Sequence, residues 1–318
     1  RMMLPREVLG LDQQKGHYFF RPTKGTLPFH DPIPGRPRTA ARPDGLDRRG
    51  ATGDHSASRD RHGRRRMAQQ AVRVSEDGGV VHLVLDRGAN VMDEELLLEL
   101  RSAVGEAREK GGPPLLLSSA NPRIFSPGWD LKRLRDAGRE DVRRFLRLFE
   151  ATVLELFAYP GPTIAAVGGH AIAGGCLLAL AADRRVVGRG ARMGLSEINL
   201  GVPVPAGCVR MLRSRLAPSA AEELVLQGDG CTPERALELG MVHRIVEAEE
   251  LAGAVGRDLA TIQAKSGVAY AEAKRLLHAA TWEAARRDAA AGEEAFLDCW
   301  FHPDTQDRIA RLVERLGH

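Results

Sequence analysis

The stretch HAIAGGCLLALAADRRV, residues 170–186, sets Gly174 and Gly175 at the head of an apolar helical run. A helix start leaves backbone N–H groups without partners and carries the positive end of the helix dipole. Glycine lets a ligand atom approach that backbone closely. The combination suits negative charge developing on an oxygen. Close helix–strand packing uses glycine equally well, so this segment alone leaves both readings open. A second stretch, RIFSPGWDLKRL at residues 123–134, places Gly128 in a loop ahead of another helix. Two such units, each with an N–H beside glycine, make a two-donor oxyanion hole. Each donor there is worth about 3–4 kcal/mol of transition-state stabilisation. Ser126 lies outside any G-x-S-x-G turn, which argues against a serine hydrolase.

Both loops need a strand before them and a helix after them. PLLLSS (residues 114–119) and TIAAV (163–167) read as short buried strands, the second running through a tight turn into the glycine-headed helix. Upstream, residues 71–88 read as a hairpin around the turn DGG, and residues 93–110 as a helix with an acidic first turn. Residues 140–160 form a long amphipathic helix stopped by Pro160, and residues 184–201 return to strand and turn. Beyond Pro218 the pattern is mostly helical. Strands alternating with helices, then helices alone, predict an α/β core with a helical C-terminal region.

The chain has 318 residues, 43% hydrophobic and 28% charged, enough to bury a large core. No apolar run approaches the ~20 residues of a membrane-spanning helix, and no secretory signal is read, so the expected location is cytoplasmic. The four cysteines are dispersed, so neither a disulfide framework nor a metal site is expected. The net charge of +4 is uneven: residues 1–66 hold 15 Lys and Arg against 7 Asp and Glu, whereas the rest holds 31 against 35. The body is mildly acidic and offers nucleic acid no electrostatic attraction. Residues 1–66, with seven prolines and eight glycines, read as a disordered basic extension. Met67 is preferred as the natural start over a nucleic-acid arm or a transit peptide.

In order along the chain, FSPGWDLKRL, AAVGGHAIAGGCLLALAADRRV, MGLSEINLGVPVPAG and EELVLQGDGCTPERALELGMVHRIV resemble the motifs of the crotonase superfamily, the enoyl-CoA hydratases and isomerases. The resemblance covers Met67 to His318. It implies a spiral of β-β-α repeats over residues 67–260 that carries the acyl-CoA site. It also implies a helical region over residues 261–318 that joins chains into a homotrimer or a dimer of trimers. An acyl-CoA thioester is then the substrate, with no cofactor. By matching position the oxyanion donors are the N–H groups of Trp129 and Gly174, and the acid/base is Glu197. Ser126, Gly128, Asp130, Leu131, Gly175, Leu177 and Leu195 are expected to line the substrate site.

The chain also departs from the family pattern. Many relatives carry a second glutamate where this sequence has Leu177. Hydration of a double bond is well served by two carboxylates, whereas moving a double bond from carbon 3 to carbon 2 needs one group that removes and returns a proton. Leu177 therefore favours isomerisation, with Leu177, Leu195 and Ile198 expected to desolvate Glu197 and raise its pKa. Trp129 replaces a small residue, Gly168 replaces a frequent asparagine, and LDRGANVMD is short where relatives carry a basic CoA-contacting turn. Asn199 and Pro205 stand where dienoyl-CoA isomerases carry acids, which argues against that reaction. His170 is expected to be structural, and Asp130 to cap or orient its loop. Lys274 and Arg275 fit either CoA phosphates or a solvated helix face. The leading expectation is a 3-enoyl-CoA to 2-enoyl-CoA isomerase. The alternatives are an enoyl-CoA hydratase using another second group, or a weakly active paralogue binding acyl-CoA or, through the basic extension, RNA.

Overall fold

The computed structural model describes residues 70–316, so the expectations for the basic extension lie outside the described residues. The chain opens with the antiparallel hairpin β1 (Val72–Asp77) and β2 (Val80–Leu85), whose turn uses positive φ at Gly78 and Gly79. Helix α1 (Glu94–Glu109) follows, its start fixed by the Asp93 side chain accepting the Leu96 N–H at 3.0 Å.

Three turns of one pattern come next. Strand β3 (Leu115–Ser119) is followed by β4 (Ile124–Ser126) and the helices α2 (Leu131–Leu134) and α3 (Arg139–Phe157). Strand β5 (Thr163–Val167) is followed by β6 (His170–Ile172) and α4 (Gly174–Ala181). Strand β7 (Arg184–Gly188) is followed by β8 (Met193–Gly194) and the helices α5 (Glu197–Leu200) and α6 (Ala206–Arg215). The chain then adds α7 (Pro218–Gln227), β9 (Gly230–Cys231), α8 (Pro233–Glu238), β10 (Arg244–Val246) and α9 (Leu251–Gln263). It ends with the 34-residue α10 (Gly267–Trp300) and with α11 (Pro303–Arg315).

The first strand of each turn enters a six-stranded sheet ordered β1-β2-β3-β5-β7-β10, and the second enters a four-stranded sheet ordered β4-β6-β8-β9. This is the β-β-α spiral that the resemblance implies. Strand β5 is buried along its whole length between parallel neighbours β3 and β7, which is why TIAAV reads as unbroken apolar sequence.

The short second strands escape the sequence reading. TIAAV does not turn directly into the glycine-headed helix, because β6 intervenes and pairs with β4 and β8. At two or three residues these strands are too short to show a period. Helix α6 was also missed, and SEINL, read as strand and turn, holds the single helical turn α5. Neither reading of Lys274 holds. It is 5% exposed, pairs with Asp183 at 2.7 Å and donates to the Gly161 carbonyl at 3.1 Å. Arg275 is on the solvated face and pairs with Glu272.

Candidate active site

The two glycine loops meet. A Cβ placed on Gly128, where φ is +94°, would lie 3.1 Å from the Gly174 nitrogen and 3.1 Å from the Ala173 Cβ. Backbone pairing sets the direction of the Trp129 N–H. The Gly128 carbonyl accepts from Met92 N at 2.8 Å, and Asp130 N donates to the Met92 carbonyl at 2.9 Å. A trans peptide points its N–H opposite to its carbonyl, so the Trp129 N–H faces away from Met92. Neither it nor the Gly174 N–H has an acceptor among the described residues.

On the other loop, Ala173 holds φ at +49°, a costly conformation for a residue with a Cβ. Its own N–H is tied to the Gly194 carbonyl at 2.8 Å, and its carbonyl accepts the Leu177 N–H at 3.0 Å. These bonds hold the strained turn that leaves the Gly174 N–H free at the start of α4.

Both loops open on a cavity of about 570 Å³, whose walls include Trp129, Gly174, Ser196, Glu197, Leu200 and Val202. Glu197 is the first residue of α5, and its Oε2 is sealed from solvent with no hydrogen-bond partner among the described residues. Burial pushes its carboxyl up from the ordinary 4.5 to about 7, against the opposing pull of the Glu197 and Ser196 backbone N–H groups. Asp130 is the other carboxylate on the walls, and it is engaged. It accepts the Arg133 N–H at 3.2 Å as the cap of α2 and sits 3.5 Å from the Arg133 guanidinium.

Aromatic rings support one side. Trp129 packs edge-on against Phe145 (5.0 Å, 81°) and Phe149 (5.2 Å, 73°), and tilted against Phe296 and Trp300. Phe296 and Trp300 come from the end of α10, which docks on α3 through an ionic zipper. Arg139 pairs with Asp298 at 2.6 Å, Arg143 with Glu293 at 2.9 Å, and Arg147 with Glu293 at 2.5 Å. Leu312 of helix α11 and Leu316, the residue that caps its end, add to the walls, and the Leu316 carbonyl accepts from Lys132 Nζ at 3.1 Å.

Of the expected site residues, Trp129, Asp130, Leu131, Gly174 and Glu197 line the cavity. The other five lie behind the walls. Ser126 is buried, donates to the Asn90 carbonyl at 2.8 Å and accepts the Gly128 N–H at 3.2 Å, so it shapes the loop from beneath. Gly128 sets the loop's conformation. A Cβ on Gly175 would stand 2.2 Å from the Ser126 carbonyl oxygen. That glycine therefore serves helix–strand contact, the packing reading left open by the sequence. Leu177 and Leu195 are fully buried core residues. Leu177 is thus no apolar wall of the chamber, and a glutamate placed there would start from the core. Ile198 is 43% exposed, which removes it from the set expected to desolvate Glu197. His170 is exposed and accepts the Arg192 N–H, a structural contact.

The sequence reading did not name Asn90, Ala173, Phe149, Phe296, Trp300 or Leu312. The amphipathic period of α3 marks Phe149 as inward-facing, but no sequence signal tells that α10 and α11 return over the spiral.

Replacing Gly128 with Ala is expected to lower turnover about 10- to 100-fold while the fold persists, because the new Cβ pushes the two N–H donors apart. Steady-state rates beside a far-ultraviolet spectrum check this.

A family model described as enoyl-CoA hydratase/isomerase matches residues 75–317. The chain is 33% identical over 218 residues to a carnitinyl-CoA dehydratase of Proteus mirabilis, covering 67% of this chain and 82% of that protein. It is 25% identical over 237 residues to a crotonyl-CoA hydratase of Syntrophomonas wolfei, covering 74% and 91%. The crystal structure of human mitochondrial delta3-delta2-enoyl-CoA isomerase superposes with a TM-score of 0.74 at 25% identity, covering 78% of this chain and 98% of that one.

Proposed function

From the premise that the chain belongs to the enoyl-CoA hydratase/isomerase family, we propose that it moves a double bond of an enoyl-CoA from carbon 3 to carbon 2. The observation that carries this reading is the pairing of one sealed carboxyl near neutrality, Glu197, with two free N–H donors on one cavity. The thioester oxygen sits between the Trp129 and Gly174 N–H groups. The Glu197 carboxylate removes a proton from carbon 2, and the two donors stabilise the resulting enolate oxygen. The same carboxyl, now protonated, returns the proton to carbon 4, and the double bond settles between carbons 2 and 3. A carboxyl near pH 7 both takes and gives a proton at low cost.

Among the described cavity walls the other carboxylate, Asp130, is spent on its cap and on Arg133, and Leu177 supplies none. Water addition has no second carboxylate there to position its water. Hydratase remains the second reading, favoured by the names of the relatives. Offering 3-enoyl-CoA and 2-enoyl-CoA separately, and following the conjugated thioester by its absorbance, tests the two. Isomerisation is expected to be the faster, and faster hydration overturns the proposal. Assembly into trimers is proposed with it, through helical faces such as that of α10, where Leu276 and Leu277 are exposed.

The pH dependence follows from Glu197. Proton removal needs the carboxylate, so kcat/KM is expected to rise tenfold per pH unit below about 7 and to level off above it. Initial rates of isomerisation between about pH 5 and 9 check this, and a profile flat through 7 contradicts it.

A further inference from the structure

A second cleft, of about 770 Å³, adjoins the reaction cavity and shares Ser196, Leu200 and Leu312 with it. Its remaining walls are Asn199, Glu314 and three arginines of α11: Arg308, Arg311 and Arg315. Positions 308, 311 and 315 fall on one face of a helix. Arg308 is engaged, with Asp304 at 2.7 Å and the Asn199 carbonyl at 3.3 Å. Arg311 reaches Asp304 only through longer-range attraction. Neither Arg311 nor Arg315 makes a hydrogen bond or a contact ion pair with any described residue. Two guanidinium groups therefore stand against the single Glu314 carboxylate, and the cleft is net positive.

The shared walls fix where this cleft lies along a bound thioester. It has no wall in common with the oxyanion loops or with Ala89 and Val91, which line the chamber alone. It meets the chamber at Ser196, the residue before Glu197. An acyl chain held at Trp129 and Gly174 and running past Glu197 between Leu200 and Leu312 ends at the arginines.

We propose that Arg311 and Arg315 receive a carboxylate at the far end of the acyl chain, so that the preferred substrates are CoA thioesters of dicarboxylic acids. The proposal rests on the reading of the chamber as an acyl-CoA site. Guanidinium suits a carboxylate through paired, charge-assisted hydrogen bonds. A methyl terminus in the same place displaces water from the cations and returns nothing.

The test measures binding, so it is independent of turnover. Dissociation constants of adipoyl-, suberoyl- and sebacoyl-CoA are compared with those of hexanoyl-, octanoyl- and decanoyl-CoA, matched in length. At one length or more the dicarboxylic thioester is expected to bind about tenfold tighter or better, with a preference that shrinks as salt rises. In Arg311→Gln and Arg315→Gln the ratio is expected to fall toward one. No preference at any length overturns the proposal. So does an equal weakening of both series in the variants with the ratio kept, which would assign the arginines to the CoA phosphates. A kept dicarboxylic preference beside no double-bond migration in 3-enoyl-CoA, offered separately, would instead count against the isomerase reading and leave this one standing.

Discussion

Glu197→Gln is expected to lower kcat for double-bond migration by about 10²–10⁴-fold, the usual contribution of a positioned acid/base. The amide keeps the shape of the side chain but neither takes the proton from carbon 2 nor returns one to carbon 4. Substrate affinity is expected to change far less, because the thioester oxygen is assigned to the Trp129 and Gly174 N–H groups. The same substitution has an opposite effect on stability. Burial raises the Glu197 pKa from 4.5 to about 7 in the folded chain. Between these values the folded state holds the proton more tightly than the unfolded state does. Stability from this group therefore falls as pH rises through the window. Glutamine does not titrate, so the variant is spared that loss. Moving from about pH 4 to about pH 8, the stability of the variant relative to the parent is expected to rise by on the order of 3 kcal/mol. The cost of seating an amide is the same at both pH values and cancels. Denaturant unfolding at the two pH values reads this directly. Near-parental turnover in Glu197→Gln removes the carboxyl from the reaction.

The proposed acid/base and the two proposed donors were legible to different degrees. Glycine at a helix start after a buried strand marks backbone N–H groups that a ligand can reach, but packing explained it equally well, and Trp129 and Gly174 were singled out as donors through the resemblance. Glu197 came only through the resemblance, because one carboxylate in MGLSEINLG looks like any other. The sequence could not show that Oε2 would be sealed without a hydrogen-bond partner, which depends on the packing around that one side chain. Gly174 and Gly175 show the limit most sharply. They are adjacent and identical in type, yet one lines the cavity and the other admits the Ser126 carbonyl against the helix. Leu177 shows a further limit. Its apolar character was readable, but whether it faced the chamber or the core depends on the rotation of α4, which is buried on all sides and has no polar face to orient it. The large sheet was legible from runs such as LLLSS and TIAAV. The strands of the small sheet were not, because their pairing is decided by partners far away in sequence.

Lys274→Met is expected to destabilise the chain by about 3 kcal/mol, at the lower end of the roughly 3–5 kcal/mol seen when one partner of a buried ion pair is removed. The lower end applies because Asp183 keeps other partners. Arg215 stands at 3.2 Å, the Tyr270 hydroxyl donates at 3.0 Å and the Thr163 N–H at 3.0 Å. Lys274 is nonetheless the closest cation, at 2.7 Å, and its Nζ also satisfies the Gly161 carbonyl at 3.1 Å, which methionine leaves unpaired. For a chain of this size the midpoint of thermal unfolding is expected to fall by about 6–12 °C. The sign of the pH dependence separates this from ordinary loss of packing. Burial alone would raise the Asp183 pKa, but Lys274 and Arg215 overcome it and hold the carboxyl below its usual value of 3.8. The parent therefore owes Asp183 stability that is full at neutral pH and lost as pH falls through that range. With Lys274 gone, burial regains ground and less of that stability exists to lose. The deficit of the variant is expected to be greatest near pH 7 and to shrink below about pH 4. Adding Asp183→Asn to Lys274→Met is expected to recover part of the loss, since a buried carboxylate that has lost its nearest cation is then removed, with Arg215 losing its carboxylate partner as the cost. A deficit that stays constant with pH would instead assign Lys274 to packing of its aliphatic stem.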